Sequence, residues 1–321
     1  MKLAVTFRTF EGQKKYLQKA MENKAEIFFK EDYADKNEWN KVAESADVLL
    51  SWNPSLEGVG KNDYSLQNVK FIQLMSAGFD HVQLNDYPSG LKIACNKGAY
   101  AEPMAEHVVA MMLAQSKRLF TYHKEIAAGE FKQLESQTKF IKGSTVGIVG
   151  FGEIGKAVAK LLRPYGVHIL AINSSGKTNE AVDFVGTLAD LDYVLKNSDT
   201  LVITIALNNK TEGLINREKL ELMKNDAVLV NVARGAIIDE KSLYEHLKSH
   251  PDFYAALDAW WVEPFKYKKF ELDYPFFELP NLLGSPHNSA LVYNNLHMGT
   301  VHAVENLHRY LSGKKVEGLI N

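Results

Sequence analysis

Arg234 in "NVARGAIID", Glu263 in "WWVEP" and His287 in "GSPHNSA" are side-chain types that move protons and hold anions. An imidazole exchanges a proton near neutral pH. A carboxylate beside it favours the imidazolium and fixes the tautomer. A guanidinium presents a permanently charged fork that suits a carboxylate. A second acid, Asp258, shares "LDAWWVEP" with Glu263, the two straddling a pair of tryptophans just after the apolar run Phe253–Leu257. Burying an ionised carboxylate is costly unless it is paired or hydrogen-bonded, so both acids ask for partners. Taken singly, such residues are more often structural or solvated. Here Arg234, Glu263 and His287 each follow a strand-like run. That lets them converge on the carboxyl edge of one sheet, where open α/β folds bind ligands.

A glycine-rich turn stands upstream. "TVGIVGFGEIGKAVAKLL" sets Gly150, Gly152 and Gly155 between a strand and the opening of a helix, the context a dinucleotide-binding turn requires. Gly150 permits the tight turn, Gly152 lets backbone approach a pyrophosphate, and Gly155 lets the helix pack on its strand. The N–H groups of the helix opening, with Glu153 and Ile154 in its first turn, supply partial positive charge for the phosphates. An acid at the end of the next strand would grip a ribose 2′-hydroxyl, but the position falls on Asn173 in "LAINSSGKT". Without that acid, Ser174, Ser175 and Lys177 can donate to a 2′-phosphate. The expectation leans to NADP(H), with NAD(H) as the alternative.

These groups need a scaffold of about two domains at 321 residues. Apolar residues at 46% and a net charge of −2 describe an ordinary globular chain, without the basic excess that a polyanion or an anionic membrane would attract. No apolar stretch is long enough for a membrane span, and the first residues, "MKLAVTFRTF", run straight into a strand-like pattern. The lone Cys95 cannot form a disulfide within the chain and fits a reducing, cytoplasmic setting. Strand-like runs at 2–7, 25–29, 47–50 and 70–74 alternate with helical patterns such as Gln13–Asn23. A long helical pattern from Pro103 to about Tyr122 follows, with Met104, Val108, Met111, Met112 and Leu113 on its apolar side. A second alternating series begins at 145–149 and continues at 167–172, 199–205, 227–232, 253–258 and 281–286. The alternation predicts an α/β protein of two doubly wound parallel-sheet domains, the second a Rossmann dinucleotide-binding domain. The expected division is 1–98 plus 290–321 for a substrate domain and 99–289 for the dinucleotide domain, with the cleft between them. The last helix, Val292–Leu311, is expected to return to the first domain.

The whole chain resembles the D-isomer-specific 2-hydroxyacid dehydrogenases, the family of glycerate, glyoxylate/hydroxypyruvate and D-lactate dehydrogenases. The resemblance runs through "MSAGFDHV", "NKGAYAEPMAEHVVAMML", the glycine turn, "LNNKTEGLIN", "LVNVARGAIID", "LDAWWVEP" and "SPH". It implies a homodimeric oxidoreductase, with the helix 103–122 and its neighbouring loop as the two-fold interface. The family's catalytic Arg, Glu and His fall on Arg234, Glu263 and His287. Backbone N–H groups of Ser76, Ala77 and Gly78 would hold the substrate carboxylate together with Arg234. Asp258 would hold the nicotinamide carboxamide, and the cofactor-binding set extends to Ala206, Val232, Ala233, Arg234 and His287. Small acids, such as glyoxylate, hydroxypyruvate and D-glycerate, are the expected substrates.

Some positions depart from the pattern. Ala206 stands where relatives often have proline, and Asn288-Ser289-Ala290 where many have glycines. Glu263 argues against formate dehydrogenase activity, which pairs the histidine with an amide. Dinucleotide-sensing corepressors of the same family form the rival class; their long disordered tails are not seen here. His297, His302 and His308, spaced five and six apart, do not stack as a metal pair would and are expected at the surface. "FKYKKFELDYPFF" is expected as a surface excursion rather than a nucleic-acid patch. Phe79, Tyr100 and the tryptophans are expected to border the substrate or to lie in the core.

Overall fold

Short, uninterrupted apolar runs make parallel strands when helices cover both faces of the sheet. In the computed structural model, which describes residues 1–59 and 65–321, the strands divide between two compact units. One unit spans Met1–Tyr100 and Tyr293–Asn321, the other Ala101–Val292.

The first unit holds β1 (Lys2–Val5), β2 (Glu26–Phe29), β3 (Val48–Ser51), β4 (Phe71–Leu74) and β5 (Lys92–Ala94), all parallel in the order β2-β1-β3-β4-β5. Alternate residues feed opposite layers. Leu3, Val5, Leu50 and Phe71 pack with Leu17, Met21 and with Ala303, Val304 and Leu307 of the final helix Asn295–Leu311. Ala4, Leu49, Ile72 and Leu74 pack on the other side with Trp39 and Ala43. The helix Lys36–Glu44 starts where the Asp35 carboxylate accepts the N–H groups of Asn37 and Glu38, a side-chain cap on otherwise unpaired donors.

The second unit holds β6 (Thr145–Val149), β7 (His168–Ile172), β8 (Phe184–Gly186), β9 (Thr200–Ile203), β10 (Val228–Asn231), β11 (Tyr254–Leu257) and β12 (Leu282–Gly284). They form one parallel sheet in the order β12-β11-β10-β9-β6-β7-β8. The order reverses between β6 and β9, the switch point beside which doubly wound folds bind dinucleotides. Ile148, Ala171, Val202 and Val230 face a layer built on Val108, Met112 and Val158. Their neighbours Val149, Ile172, Ile203 and Leu229 face one built on Leu195, Leu220 and Leu243.

Two edge strands of three residues each, β5 and β8, lie outside the strand-like runs. The expected helix 103–122 is two helices, Ala101–Ser116 and Leu119–Ala127. No proline or glycine marks the break. Arg118 takes a left-handed φ of 48° while its guanidinium reaches Asp252 at 3.1 Å and lies over the Tyr254 ring. The last helix begins at Asn295, three residues later than its pattern, behind a left-handed Asn294. No helix among the described residues is long and apolar enough to cross a membrane.

The expected surface histidines are partly engaged. His302 Nδ1 lies 2.9 Å from Asn96 Oδ1, and His308 Nε2 lies 2.9 Å from the Ala20 carbonyl, while His297 is exposed edge-on to Tyr16. The 265–277 segment also divides. Phe265, Tyr267, Phe270 and Phe277 are exposed, whereas Phe276 is fully buried and stacked on Trp261.

Candidate active site

Several strand ends at the carboxyl edge of the second unit's sheet carry distinct pieces of chemistry. After β10, Asn231 arranges the turn with its own amide: Oδ1 accepts Ala233 N–H at 3.0 Å and Nδ2 donates to Arg234 O at 2.9 Å. Val232 is buried beneath it and Ala233 half-buried. The half-buried Arg234 guanidinium donates to Ala233 O at 2.7 Å. Gly235 must follow: a Cβ there would sit 2.2 Å from the Trp260 carbonyl carbon. The Arg234 turn and the tryptophan loop are therefore pressed backbone to backbone.

After β11, "DAWWVE" wraps so that Glu263 faces back toward the strand. Its Oε1 accepts the Trp260 N–H at 2.7 Å, and its Oε2 lies 2.7 Å from His287 Nδ1. With a carboxylate as partner, Nδ1 carries the hydrogen and Nε2 is left for proton exchange. The Glu263 side chain is 16% exposed and that of His287 34%, so the pair is shielded on the acid's side and open on the imidazole's. The tryptophans are fasteners. Trp260 Nε1 donates to Ser285 O at 2.8 Å and Trp261 Nε1 to Ile238 O at 2.7 Å.

Asp258 is 0% exposed. Oδ1 accepts the Ser285 hydroxyl and the Asn288 N–H at 3.0 Å; Oδ2 accepts the Ser289 N–H at 3.0 Å. Burial pushes its carboxyl up, but these bonds from Ser285, Ser289 and Asn288 outweigh it and hold the group below the usual carboxylate range. All three of these donors come from the turn that carries His287. Between Ser285 and Asn288 stands His287, itself in the left-handed region at φ 52°. For a non-glycine residue that conformation costs about 1–2 kcal/mol and persists only where surroundings enforce it.

The other half of the sheet edge is built from glycine. Gly150 has φ 102°, and a Cβ there would lie 2.4 Å from Ile205 N, in the loop after β9. A Cβ at Gly155 would lie 2.8 Å from Gly150 O, so the helix Glu153–Leu162 is seated against the turn. Around Gly152 a Cβ would meet nothing within 4 Å, and no side chain caps the helix. An open approach onto uncapped N–H groups fits a diphosphate. Ile154 in the first turn is half-buried, Glu153 exposed beside Lys156 at 3.3 Å. Ala206 is exposed, its carbonyl accepting the Thr211 hydroxyl at 2.7 Å.

Asn173 follows β7. Its Oδ1 accepts the N–H groups of Ser175 at 3.0 Å and Gly176 at 2.8 Å, and its Nδ2 donates to Lys177 O at 2.9 Å. The side chain shapes the loop from within. The Ser175 hydroxyl bonds into the same turn, and Ser174, Ser175 and Lys177 are all exposed on it.

In the first unit, half-buried Ser76, Ala77 and Gly78 follow β4. The strand's exit is anchored at Met75, whose carbonyl accepts the Tyr100 hydroxyl at 3.0 Å and Asn96 Nδ2 at 3.2 Å. Tyr100 is 6% exposed and burial pushes its phenol up to about 12, which makes it a core residue of that unit. Phe79 packs at the edge of the opposite core layer.

Sequence reasoning missed His107 and Ser285. His107 Nε2 lies 3.1 Å from Ser285 Oγ and 3.7 Å from Asp258 Oδ1. A histidine and a serine 178 positions apart carry no spacing signal. Among the described residues, no group of three or more His, Cys, Asp or Glu is placed to hold a metal ion.

Known proteins resemble the chain in sequence and in fold. Residues 109–289 match the model of the D-isomer specific 2-hydroxyacid dehydrogenase, NAD binding domain. The chain is 30% identical to a hydroxypyruvate reductase of Thermotoga maritima, over 84% of this chain and 86% of that one. It is 31% identical to glyoxylate/hydroxypyruvate reductase B of Pectobacterium carotovorum, over 77% of each. Among solved structures, a glyoxylate reductase from Paecilomyes thermophila superposes with a TM-score of 0.79 at 22% identity, covering 100% of this chain and 98% of that one.

Proposed function

The chain belongs to the D-isomer specific 2-hydroxyacid dehydrogenases, NAD(P)-dependent oxidoreductases, and from that premise we propose that it reduces a small 2-oxo acid to its D-2-hydroxy acid. The observation that carries the reading is the 2.7 Å contact between His287 Nδ1 and Glu263 Oε2 on the sheet whose opposite half bears the open Gly152 turn. Glyoxylate and hydroxypyruvate are the substrates of choice, in keeping with the names of the relatives.

His287 Nε2–H gives its proton to the 2-oxo oxygen as C2 gains a hydride; the C=O double bond becomes a C–O single bond as C–H and O–H bonds form, and the imidazole recovers its proton from water. Glu263 stabilises the imidazolium and keeps the ring oriented. Arg234 holds the substrate carboxylate and polarises the 2-oxo group. Reduced nicotinamide, when bound, supplies the hydride. Gly150, Gly152, Glu153, Ile154 and Gly155 would hold its diphosphate, Ala206, Val232 and Ala233 its nicotinamide side. NADP(H) is the preferred form, because no carboxylate stands at Asn173 to repel a 2′-phosphate and Lys177 is exposed beside it. The residues 1–98 with 290–321 act as the substrate domain and 99–289 as the dinucleotide domain of a cytoplasmic enzyme.

A homodimer accounts for the segment after Arg118. The helix Leu119–Ala127 buries none of its residues, and Leu119, Phe120, Ile126, Phe131, Leu134 and Phe140 are all exposed, Leu134 at 92%. So many exposed apolar side chains within one segment ask for a partner surface. Sedimentation should give a two-chain particle, and a monomer would refute it.

The deciding experiment assays a panel of small 2-oxo acids with NADPH and NADH. Turnover of glyoxylate or hydroxypyruvate is expected. Dinucleotide binding with no turnover of any acid would favour the corepressor-type reading instead.

A further inference from the structure

His287 is the residue whose placement matters most in the proposed reaction, and its backbone is strained, at φ 52°. Both ends of its loop are tied to a single oxygen: Ser285 Oγ and Asn288 N each donate to Oδ1 of Asp258. The chain of bonds does not end there. A hydroxyl has one hydrogen, and that of Ser285 is spent on Asp258. The contact of 3.1 Å between Ser285 Oγ and His107 Nε2 must therefore be donated by the histidine. His107 is held on the helix Ala101–Ser116, whose Ala105, Val108, Met111 and Met112 lie in the core beneath β10 and β11. A rigid, buried helix thus reaches the loop of His287 by three successive bonds.

We propose that His107 is a positioning residue for His287: by donating Nε2–H to Ser285 it orients the Ser285 hydroxyl onto Asp258, and so fixes the turn in which the imidazole is presented to substrate. The inference rests on the reading of His287 as the acid–base group. Without the donor, the Ser285 hydroxyl is free to rotate, and the carboxylate loses one of the bonds that hold the strained turn closed. Asp258 is then the common post, with Glu263 gripping the ring and His107 securing the backbone.

The test compares His107→Leu, His107→Gln and Ser285→Ala with the wild type. Leucine keeps the packing and removes the donor; glutamine restores an N–H donor at the place of Nε2. In the leucine variant, kcat should fall roughly tenfold while the dissociation constant for the dinucleotide and the KM for the oxo acid stay within about twofold. Glutamine should recover most of the loss. The double variant His107→Leu/Ser285→Ala should be no worse than the poorer single variant, because both cut the same chain. The ring signals of His287, followed by NMR titration of the dinucleotide-free protein, should move in the leucine variant and return in the glutamine one. That readout stands even if no oxo acid is turned over by the wild type, a result that would sink the proposed reaction rather than the positioning. Unchanged His287 signals, a glutamine variant as impaired as the leucine one, or a leucine variant that instead loses dinucleotide affinity would overturn the proposal.

Discussion

The two halves of the seven-stranded sheet solve opposite problems along one edge. Beyond β6 and β7, the loops work by what they omit: no Cβ at Gly150, Gly152 or Gly155, and no side-chain cap on the helix that follows. Beyond β10, β11 and β12, they work by crowding side chains together, with Asp258, Glu263, Trp260, Ser285 and His287 bonded into one network. The contrast follows from what each half presents. A diphosphate can be met by backbone N–H groups, which the helix geometry already aims; only clearance is needed. A proton-transfer group must be a side chain, and a side chain keeps one direction only when its neighbours enforce it. One half can be read residue by residue, the other only as a network.

The sharpest way to break the contrast is to remove its most committed side chain. His287→Ala should lower kcat by roughly 10²–10⁴-fold, measured in steady state with the best oxo acid, while dinucleotide affinity, which belongs to the other half, is retained. Loss of both together would mean that the halves are not separable.

A second consequence of crowding polar groups is pH-sensitive stability. His246, on the helix Glu240–Ser249, is buried against Phe253 and stacked on His250 at 4.1 Å, and its Nε2 has no partner. Burial, then the charge of His250, pushes it down from 6.5 to about 4. The unfolded chain takes up this proton as pH falls through about 6.5; the folded one resists until about 4. Its contribution is therefore fully present above pH 6.5 and is lost as pH falls toward 4, by up to about 3 kcal/mol. Denaturant midpoints between those pH values should slope less in His246→Leu than in the wild type. An unaltered slope would assign the acid sensitivity elsewhere.

Within the glycine half the roles themselves can be separated. Gly150→Ala should destabilise the fold by about 2 kcal/mol, because φ 102° and the Ile205 backbone leave no room for a methyl group. Gly152→Ala should unfold where the wild type does but bind the dinucleotide about tenfold more weakly, since its methyl group meets only the space the diphosphate needs. Thermal melts and fluorescence titrations read the two effects independently, and equal melting points for both variants would defeat the division.

The smallest expected change concerns the ribose. Asn173→Asp keeps an acceptor for the Ser175 and Gly176 N–H groups, so the loop should hold its shape. The added charge should shift the ratio of kcat/KM for NADPH over NADH several-fold toward NADH. No shift would show that Asn173 does not face the ribose.

How much of this was legible beforehand divides along the same line. Ten of the strands, the glycine turn and the positions of Arg234, Glu263 and His287 follow from patterns local in sequence: short apolar runs, a helix opening, residues just past strand ends. The break at Arg118 was not legible, because its left-handed turn is set by Asp252 and Tyr254, more than a hundred residues away. The edge strands β5 and β8, of three residues each, lie outside the runs read from the sequence.

The two acids of "LDAWWVEP" mark the boundary. Sequence alone determined that both needed buried partners, since an unpaired charge in the interior is too costly to persist. It also determined the family, through the order of its motifs, and the glycine turn, whose conformation only residues without a Cβ can adopt. Only the tertiary structure decided which partners the acids took: the imidazole for Glu263, and for Asp258 the two backbone N–H groups just after that imidazole together with the hydroxyl of a serine just before it, which His107 contacts. Hydrogen bonds are short-ranged and directional, so their pairing is settled when strand ends meet in space, and nothing in the spacing of 107, 258 and 285 along the chain foretells it.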